Sequence, residues 1–216
     1  MKMRVGVVPI LLVILTGCCT TSSDNSGWQS LFNGQDLTGW KASETPDCFA
    51  VENGVLVVKN GRSHLFYEGP VSNGDFKNFE FSAEVMTTPG SNSGIYFHTT
   101  YQETGWPVDG HECQVNVTHS DGKKGGGLYA VDDVYEKHAR DNEWYTQEII
   151  VRGKRVITKI NGKVIVDYVE PDEVDMDDKV REEYPGRRVS HGTFAIQGHD
   201  PDSTVYFRNI KVRPLP

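Results

Sequence analysis

Helical periodicity is nearly absent from this chain of 216 residues. Short runs rich in Val, Ile, Phe and Tyr alternate instead with Gly, Asn, Asp and Pro, the pattern of many short strands joined by turns. The runs predict strands over 48–51, 55–58, 79–86, 94–99, 112–117, 144–152, 156–160, 163–168, 192–197 and 205–213. Asn161-Gly162 separates two of them and supplies the positive φ of a two-residue hairpin turn; Asn53-Gly54 repeats the signal. Strands this short and numerous form an all-β sandwich or barrel. Two segments break the rhythm. Residues 119–142 are Gly- and Asp-rich, and 170–190 are charged. Loops of that length in a compact domain are often functional.

The N-terminus has a different logic. Lys2 and Arg4 precede an apolar run, 5–15, that ends in Leu15-Thr16-Gly17-Cys18. That order is a secretory signal, too short to span a bilayer. Its end resembles the bacterial lipobox, which implies removal of residues 1–17 and lipid on Cys18. The expected organisation is a signal over 1–17, a lipidated Ser/Thr/Asn-rich tether over 18–27 and one domain over 28–216. Several acyl chains would make the membrane attachment stable, so the expected location is a bacterial membrane, the outer one in a diderm cell, facing periplasm or surface. Losing Lys2 and Arg4 leaves 20 basic against 30 acidic residues, a charge of −10. That balance argues against nucleic acid as a partner. Cys48 and Cys113 pair or stay as buried thiols; their positions do not decide. No Cys-x-x-Cys spacing marks a structural zinc site.

Side chains alternate across a strand. Over 79–86, Phe79, Phe81, Ala83 and Val85 oppose Glu80, Ser82, Glu84 and Met86. Ile95 and Phe97 oppose Tyr96 and His98; Cys113, Val115 and Val117 oppose Glu112, Gln114 and Asn116. Phe194 and Ile196 oppose Ala195, Gln197 and His199. A merely wet sheet face shows Lys, Thr and Ser. Glu, Gln, Asn, His and Tyr bind sugar hydroxyls or metals and move protons. If these strands share a sheet, its exposed face is a polar, aromatic-edged groove. His98 and His199 with Glu112 suit a mixed nitrogen and oxygen metal site; the same groups without metal suit a proton-abstracting base. His64, His111, His119, His138 and His191 read as background, with His111 facing the core.

Several stretches together resemble a known family. They are Leu31-Phe32-Asn33-Gly34-Gln35-Asp36-Leu37-Thr38-Gly39-Trp40, Val51-Glu52-Asn53-Gly54-Val55-Leu56, Ser91-Asn92-Ser93-Gly94-Ile95-Tyr96-Phe97-His98, Gly110-His111-Glu112-Cys113-Gln114-Val115 and Phe207-Arg208-Asn209-Ile210. Their order is similar to that of the 3-keto-disaccharide hydrolase domain family. The resemblance implies a two-sheet, concanavalin A-like jelly-roll sandwich that cleaves glycosides carrying a ketone at sugar C3. It carries Glu112 and Gln114 over as site residues, with His111 and Cys113 standing where the family has Tyr and Val.

A C3 ketone acidifies the C2 proton, so one base can drive elimination at C1, with water then adding back. The expected catalytic groups are Glu112, His98 and His199, holding a divalent ion or supplying the base. Gln114, Gln197 and Asn92 would bind hydroxyls; Tyr96, Tyr129 and Trp144 are candidate sugar platforms. No nucleotide or organic cofactor is expected. Two alternatives stand beside this reading: a non-catalytic carbohydrate-binding lipoprotein, and a hydrolase of unoxidised glucans using Glu84 with Glu112 or Glu148.

Overall fold

The structure, a computed structural model, describes residues 27–173, 182 and 184–216. The expected signal, Cys18 and all of the tether but Gly27 lie outside the described residues. Among the described residues thirteen strands follow in order: β1 (Gln29–Ser30), β2 (Trp40–Ala42), β3 (Phe49–Glu52), β4 (Val55–Lys59), β5 (Ser63–Tyr67), β6 (Asn78–Thr87), β7 (Asn92–Thr99), β8 (His111–Asn116), β9 (Tyr145–Arg152), β10 (Arg155–Ile160), β11 (Lys163–Val169), β12 (Thr193–Gly198) and β13 (Thr204–Leu215). Every strand pairing is antiparallel. The larger sheet runs β11-β10-β9-β6-β13-β4-β3, with β1 also on β13; the smaller runs β2-β5-β12-β7-β8. The fold is the expected two-sheet jelly-roll sandwich. At Asn53-Gly54 and Asn161-Gly162 both residues have positive φ, closing the β3–β4 and β10–β11 hairpins.

Three strands were not legible as strands. β1 and β2 are only two and three residues long. All five residues of β5 are buried, so it carries no polar–apolar alternation to read. A larger departure concerns β6, which belongs to the larger sheet and not with β7, β8 and β12. Its polar residues therefore face solvent on the opposite side of the molecule. There Glu80 pairs with Arg152 and Arg213, and Glu84 with Arg208.

The inner faces meet in one core. The larger sheet contributes Phe79, Phe81, Ile149, Phe207 and Val212; the smaller contributes Ile95, Phe97, Val115, Phe194 and Ile196. Phe194 bridges the two, its ring 4.8 Å from both Phe79 and Phe81. Such aromatic pairs each add about 0.5–1.5 kcal/mol beyond area burial. Cys48 and Cys113 are free and buried. Burial pushes the Cys113 thiol up to about 12, and its sulfur accepts the Gln147 side-chain amide at 3.1 Å.

The described parts of both irregular segments reach β8 of the smaller sheet. Along the open edge of β8, Gly127 O accepts the Gln114 N–H and Glu112 O accepts the Tyr129 N–H. Residues 125–129 thus cover that edge. In the second, Glu170 holds Arg188 and Val189: it accepts the Val189 N–H at 2.7 Å and Arg188 Nε–H at 3.1 Å, 3.4 Å from His111 Nε2. His111 is buried as expected, but beside this carboxylate. Burial pushes the Glu170 carboxyl up; His111, the Val189 N–H and Arg188 outweigh it and hold the group below its ordinary value. A carboxyl lowered on folding stabilises above its unfolded value and loses that contribution as pH falls. Glu170→Ala should cost about 2–4 kcal/mol in urea unfolding at neutral pH. The gap to the wild type should narrow as pH drops through the carboxylate range.

Candidate active site

Cross-strand register assembles the site on the outer face of the smaller sheet. Glu112 on β8 stands opposite Tyr96 on β7, Tyr96 opposite Ala195 on β12, Ala195 opposite Phe66 on β5, and Phe66 opposite Lys41 on β2. One residue pair along, Gln114 opposes Gly94 and Gln197 opposes His64. These side chains share a face because alternation sends their neighbours Cys113, Ile95, Ile196 and Leu65 into the core.

Glu112 is the centre of the row. It is 4% exposed, and both oxygens are bonded: Tyr96 OH donates to Oε2 at 2.8 Å and Gln197 Nε2 to Oε1 at 3.1 Å. Gln197 also donates to the Tyr96 oxygen at 3.1 Å. Burial raises the Glu112 carboxyl above its usual range; Arg187, Tyr96, His199 and Gln197 pull it back only in part. Burial first, then the Glu112 charge, holds the Tyr96 hydroxyl well above its ordinary value, so it stays a donor. Gly94 makes room for this carboxylate. A Cβ there would collide with Glu112 Oε1, which gives the Ser91-Asn92-Ser93-Gly94 stretch a physical reason.

A cavity of about 160 Å³ opens over the row, lined by Asn92, Tyr96, Trp106, Glu112, Gln114, Tyr129, Tyr184, Gln197 and His199. Glu112 is its only carboxylate among the described residues. Gln114 holds its carbonyl on the Val115 N–H at 3.1 Å, leaving its NH2 as the donor it offers. Asn92 Oδ1 is buried without a partner among the described residues. Trp106 lies 5.3 Å from the His199 ring. His199 Nδ1 is 2.7 Å from Asp200 Oδ2. For neutral imidazole that bond puts the proton on Nδ1 and the lone pair on Nε2.

The structure thus brings together Glu112, Gln114, Gln197, Asn92, Tyr96, Tyr129 and His199, and separates two expected members. His98 is the extra residue of a β-bulge between Thr99 and Phe97, with φ +58°. A bulge breaks alternation, and the ring turns inward onto Phe79 at 5.6 Å and Phe97 at 5.4 Å. Its Nδ1 accepts the Ser190 N–H and its Nε2 bonds Lys77 O, and burial pushes it down to about 4. It has no nitrogen left for a metal or a substrate. Trp144 immediately precedes β9 of the larger sheet, and the Arg208 guanidinium lies over its ring, 4.1 Å from the centroid. Glu84 is on that same outer face, bonded by Arg208 and Asn209, and Glu148 pairs with Ser82 there. A larger groove on that face, about 420 Å³, is lined by Trp28, Glu84, Asn209 and Lys211. Its carboxylate is already neutralised.

Trp106, Tyr184, Arg187, Asp200, His119 and His64 also stand at or beside the site, and no sequence pattern marks them. The first four lie on connections where no period predicts direction. His64 sits on unread β5, fully buried and edge-on to Tyr96 and Trp106 at 5.3 and 5.6 Å. Burial pushes it down to about 3, so it stays neutral.

His119, His199 and Asp200 offer donor atoms within 4.8 Å of one another, a spacing that suits a metal. Their hydrogen bonds do not suit it. Asp200 Oδ1 accepts the Asp202 and Ser203 N–H groups; Oδ2 accepts Ser203 Oγ–H and His199 Nδ1–H. His119 Nδ1 accepts the Asp121 N–H, which puts the proton of a neutral ring on Nε2, the nitrogen facing Asp200. The cluster is arranged as a bonded turn that orients His199, not as an open coordination shell.

A profile of 3-keto-alpha-glucoside-1,2-lyase-like domains matches residues 27–213. A 3-keto-disaccharide hydrolase from Bacteroides thetaiotaomicron is 25% identical over 236 residues, covering 89% of this chain and 80% of that protein. A candidate glycosyl hydrolase from Parabacteroides distasonis superposes with a TM-score of 0.71 at 24% identity, over 88% of this chain and 94% of that one. The carbohydrate-binding module CBM66 from Bacillus subtilis shares the fold at TM-score 0.56 and 12% identity, over 81% and 95%. Gly94→Ala should leave the sandwich folded but push Glu112 off Tyr96 and Gln197. A crystal structure of the variant checks this; an undisturbed carboxylate would refute the steric account.

Proposed function

The chain belongs to the 3-keto-alpha-glucoside-1,2-lyase-like family, and from that premise we propose that it cleaves glycosides already oxidised to a ketone at C3. The observation that carries this reading is one buried carboxylate facing a cavity that also holds an oriented imidazole. Ordinary glycosidases use two opposed carboxylates. The candidates for a second one, Glu84 and Glu148, sit on the far face, which disfavours the unoxidised-glucan reading.

In the proposed route Glu112 takes the C2 proton, and the electron pair passes to the C3 oxygen as an enolate. Cavity donors such as the Gln114 NH2 stabilise that oxygen. The C1–oxygen bond breaks as protonated His199 gives its proton to the leaving group. Water then adds: neutral His199 takes its proton, hydroxide joins C1, and Glu112 returns a proton to C2. The net change is hydrolysis. Asp200 stabilises the imidazolium, whose other ring N–H it accepts. Trp106, Tyr129 and Tyr184 serve as sugar platforms. Both Asp200 oxygens and His119 Nδ1 are engaged by hydrogen bonds, and His199 Nε2 is the atom that gives and takes the proton, so the route calls on no metal. Lipid on Cys18 would hold the domain at a membrane, with the tether as spacer; loss of membrane fractionation in Cys18→Ala tests that separately.

The direct test is release of a chromogenic leaving group from a 3-keto-glucoside. Turnover should survive EDTA and fall at least about a thousandfold in Glu112→Gln. His199→Ala should lose about 10²–10⁴-fold. The pH profile of kcat/KM should be bell-shaped, with its acid limb above the ordinary carboxylate range because burial raises Glu112. Glycan retention with no product would instead make this a binding module, and EDTA-sensitive release would restore the metal.

A further inference from the structure

Two consecutive arginines near the cavity have opposite fates. Arg188 is spent on Glu170. Arg187 is 1% exposed, and none of its three guanidinium nitrogens has a hydrogen-bond partner among the described residues. A buried cation left without a partner is strongly destabilising. The chain nevertheless fixes it in place. Arg187 N–H bonds Tyr184 O, while Gly186 is clamped to the 108–110 segment through Val108 O and the Gly110 N–H. The guanidinium lies 4.1 Å from the Tyr184 ring centroid and 6.0 Å from that of Tyr96. Tyr96 is the residue whose hydroxyl bonds Glu112. Arg187 therefore stands behind the ring wall of the cavity, its nitrogens sealed from any substrate.

We propose that Arg187 is a positioning residue: its buried guanidinium, set beside the Tyr96 ring whose hydroxyl bonds Glu112, is the countercharge that favours the ionised, basic form of that carboxylate. The proposal rests on the reading of Glu112 as the base. Every element around Glu112 contributes a group that faces it. β7 presents Tyr96; β12 and its end present Gln197 and His199; residues 119–142 present Tyr129; its own strand presents Cys113; and residues 184–188 present Tyr184 and Arg187. Of these, only Arg187 carries a guanidinium. An opposite charge nearby favours a carboxylate, and low-dielectric surroundings strengthen it. Burial acts on Glu112 first and upward, and Arg187 is the largest opposing influence. Separation without direct contact has a further consequence: both Glu112 oxygens stay with Tyr96 and Gln197, so the base keeps its aim.

The test compares wild type with Arg187→Met, Arg187→Gln and Arg187→Lys, each checked for native circular dichroism. The first readout needs no substrate. Titration of ¹³C-labelled glutamate carboxyls by NMR, with the Glu112 resonance assigned by its absence in Glu112→Gln, gives its midpoint directly. That midpoint should rise by about one pH unit or more in Arg187→Met and Arg187→Gln, and stay near wild type in Arg187→Lys. The second readout is kcat/KM on a 3-keto-glucoside. Its acid limb should move up with the midpoint, giving about tenfold loss on the acid side. Activity should recover at higher pH, with KM little changed. An unmoved midpoint in a folded neutral variant overturns the proposal, as does a loss of activity equal at all pH values. If no variant or wild type turns over the substrate, the reading of the reaction fails while the NMR midpoint still decides the role of Arg187. Should Arg187→Met not fold, the smaller polar change in Arg187→Gln carries the same test.

Discussion

The site depends on the desolvation of one carboxylate and on what compensates it. Glu112 leaves water for a wall of aromatic rings, which by itself would neutralise it. Two donors on two neighbouring strands, Tyr96 and Gln197, satisfy its oxygens, and these bonds exist only in the register that aligns β8, β7 and β12. Gly94 has no side chain because that carboxylate lies over it. β8 is an edge strand, so its free side needs cover, and residues 125–129 supply it while bringing Tyr129 to the cavity. Packing, register and loop placement thus converge on one charge.

The two outer faces of the sandwich show what a carboxylate does without such a setting. Glu80 and Glu84 on the larger sheet pair with Arg152, Arg213 and Arg208 near solvent. Surface pairs of that kind contribute only about 0–1 kcal/mol and leave no reactive group. Glu112, with no ion pair and hydrogen-bond donors only, keeps its basicity. His199 completes the contrast. Its orientation comes from Asp200, which is itself fixed by the turn that follows β12.

The sandwich was legible because turn residues and period-two alternation are local signals, and Asn-Gly at 53–54 and 161–162 needed nothing more. The Glu112–Gln114 and Ala195–Gln197 faces were legible for the same reason. Alternation failed at His98, where a single bulge residue with positive φ inverted the side chain; nothing in Tyr96-Phe97-His98-Thr99 announces that. It also misled for β6, since alternation gives a face but not the sheet to which it belongs. β5 hid because both of its faces are covered, taking His64 with it. Trp106, Tyr184 and Arg187 sit on connections, where direction is set by tertiary contacts. The family resemblance supplied Glu112 and Gln114 but not the residues that hold them.

Abstraction of the C2 proton of a 3-keto sugar by Glu112 is the step on which this reading of the site stands. Incubating 3-keto-glucose with the protein in D2O and following the C2 proton by ¹H NMR tests it without any leaving group. The C2 signal should disappear with wild type at a rate far above background, and persist with Glu112→Gln. Loss of the C2 signal in Glu112→Gln at the wild-type rate would contradict it.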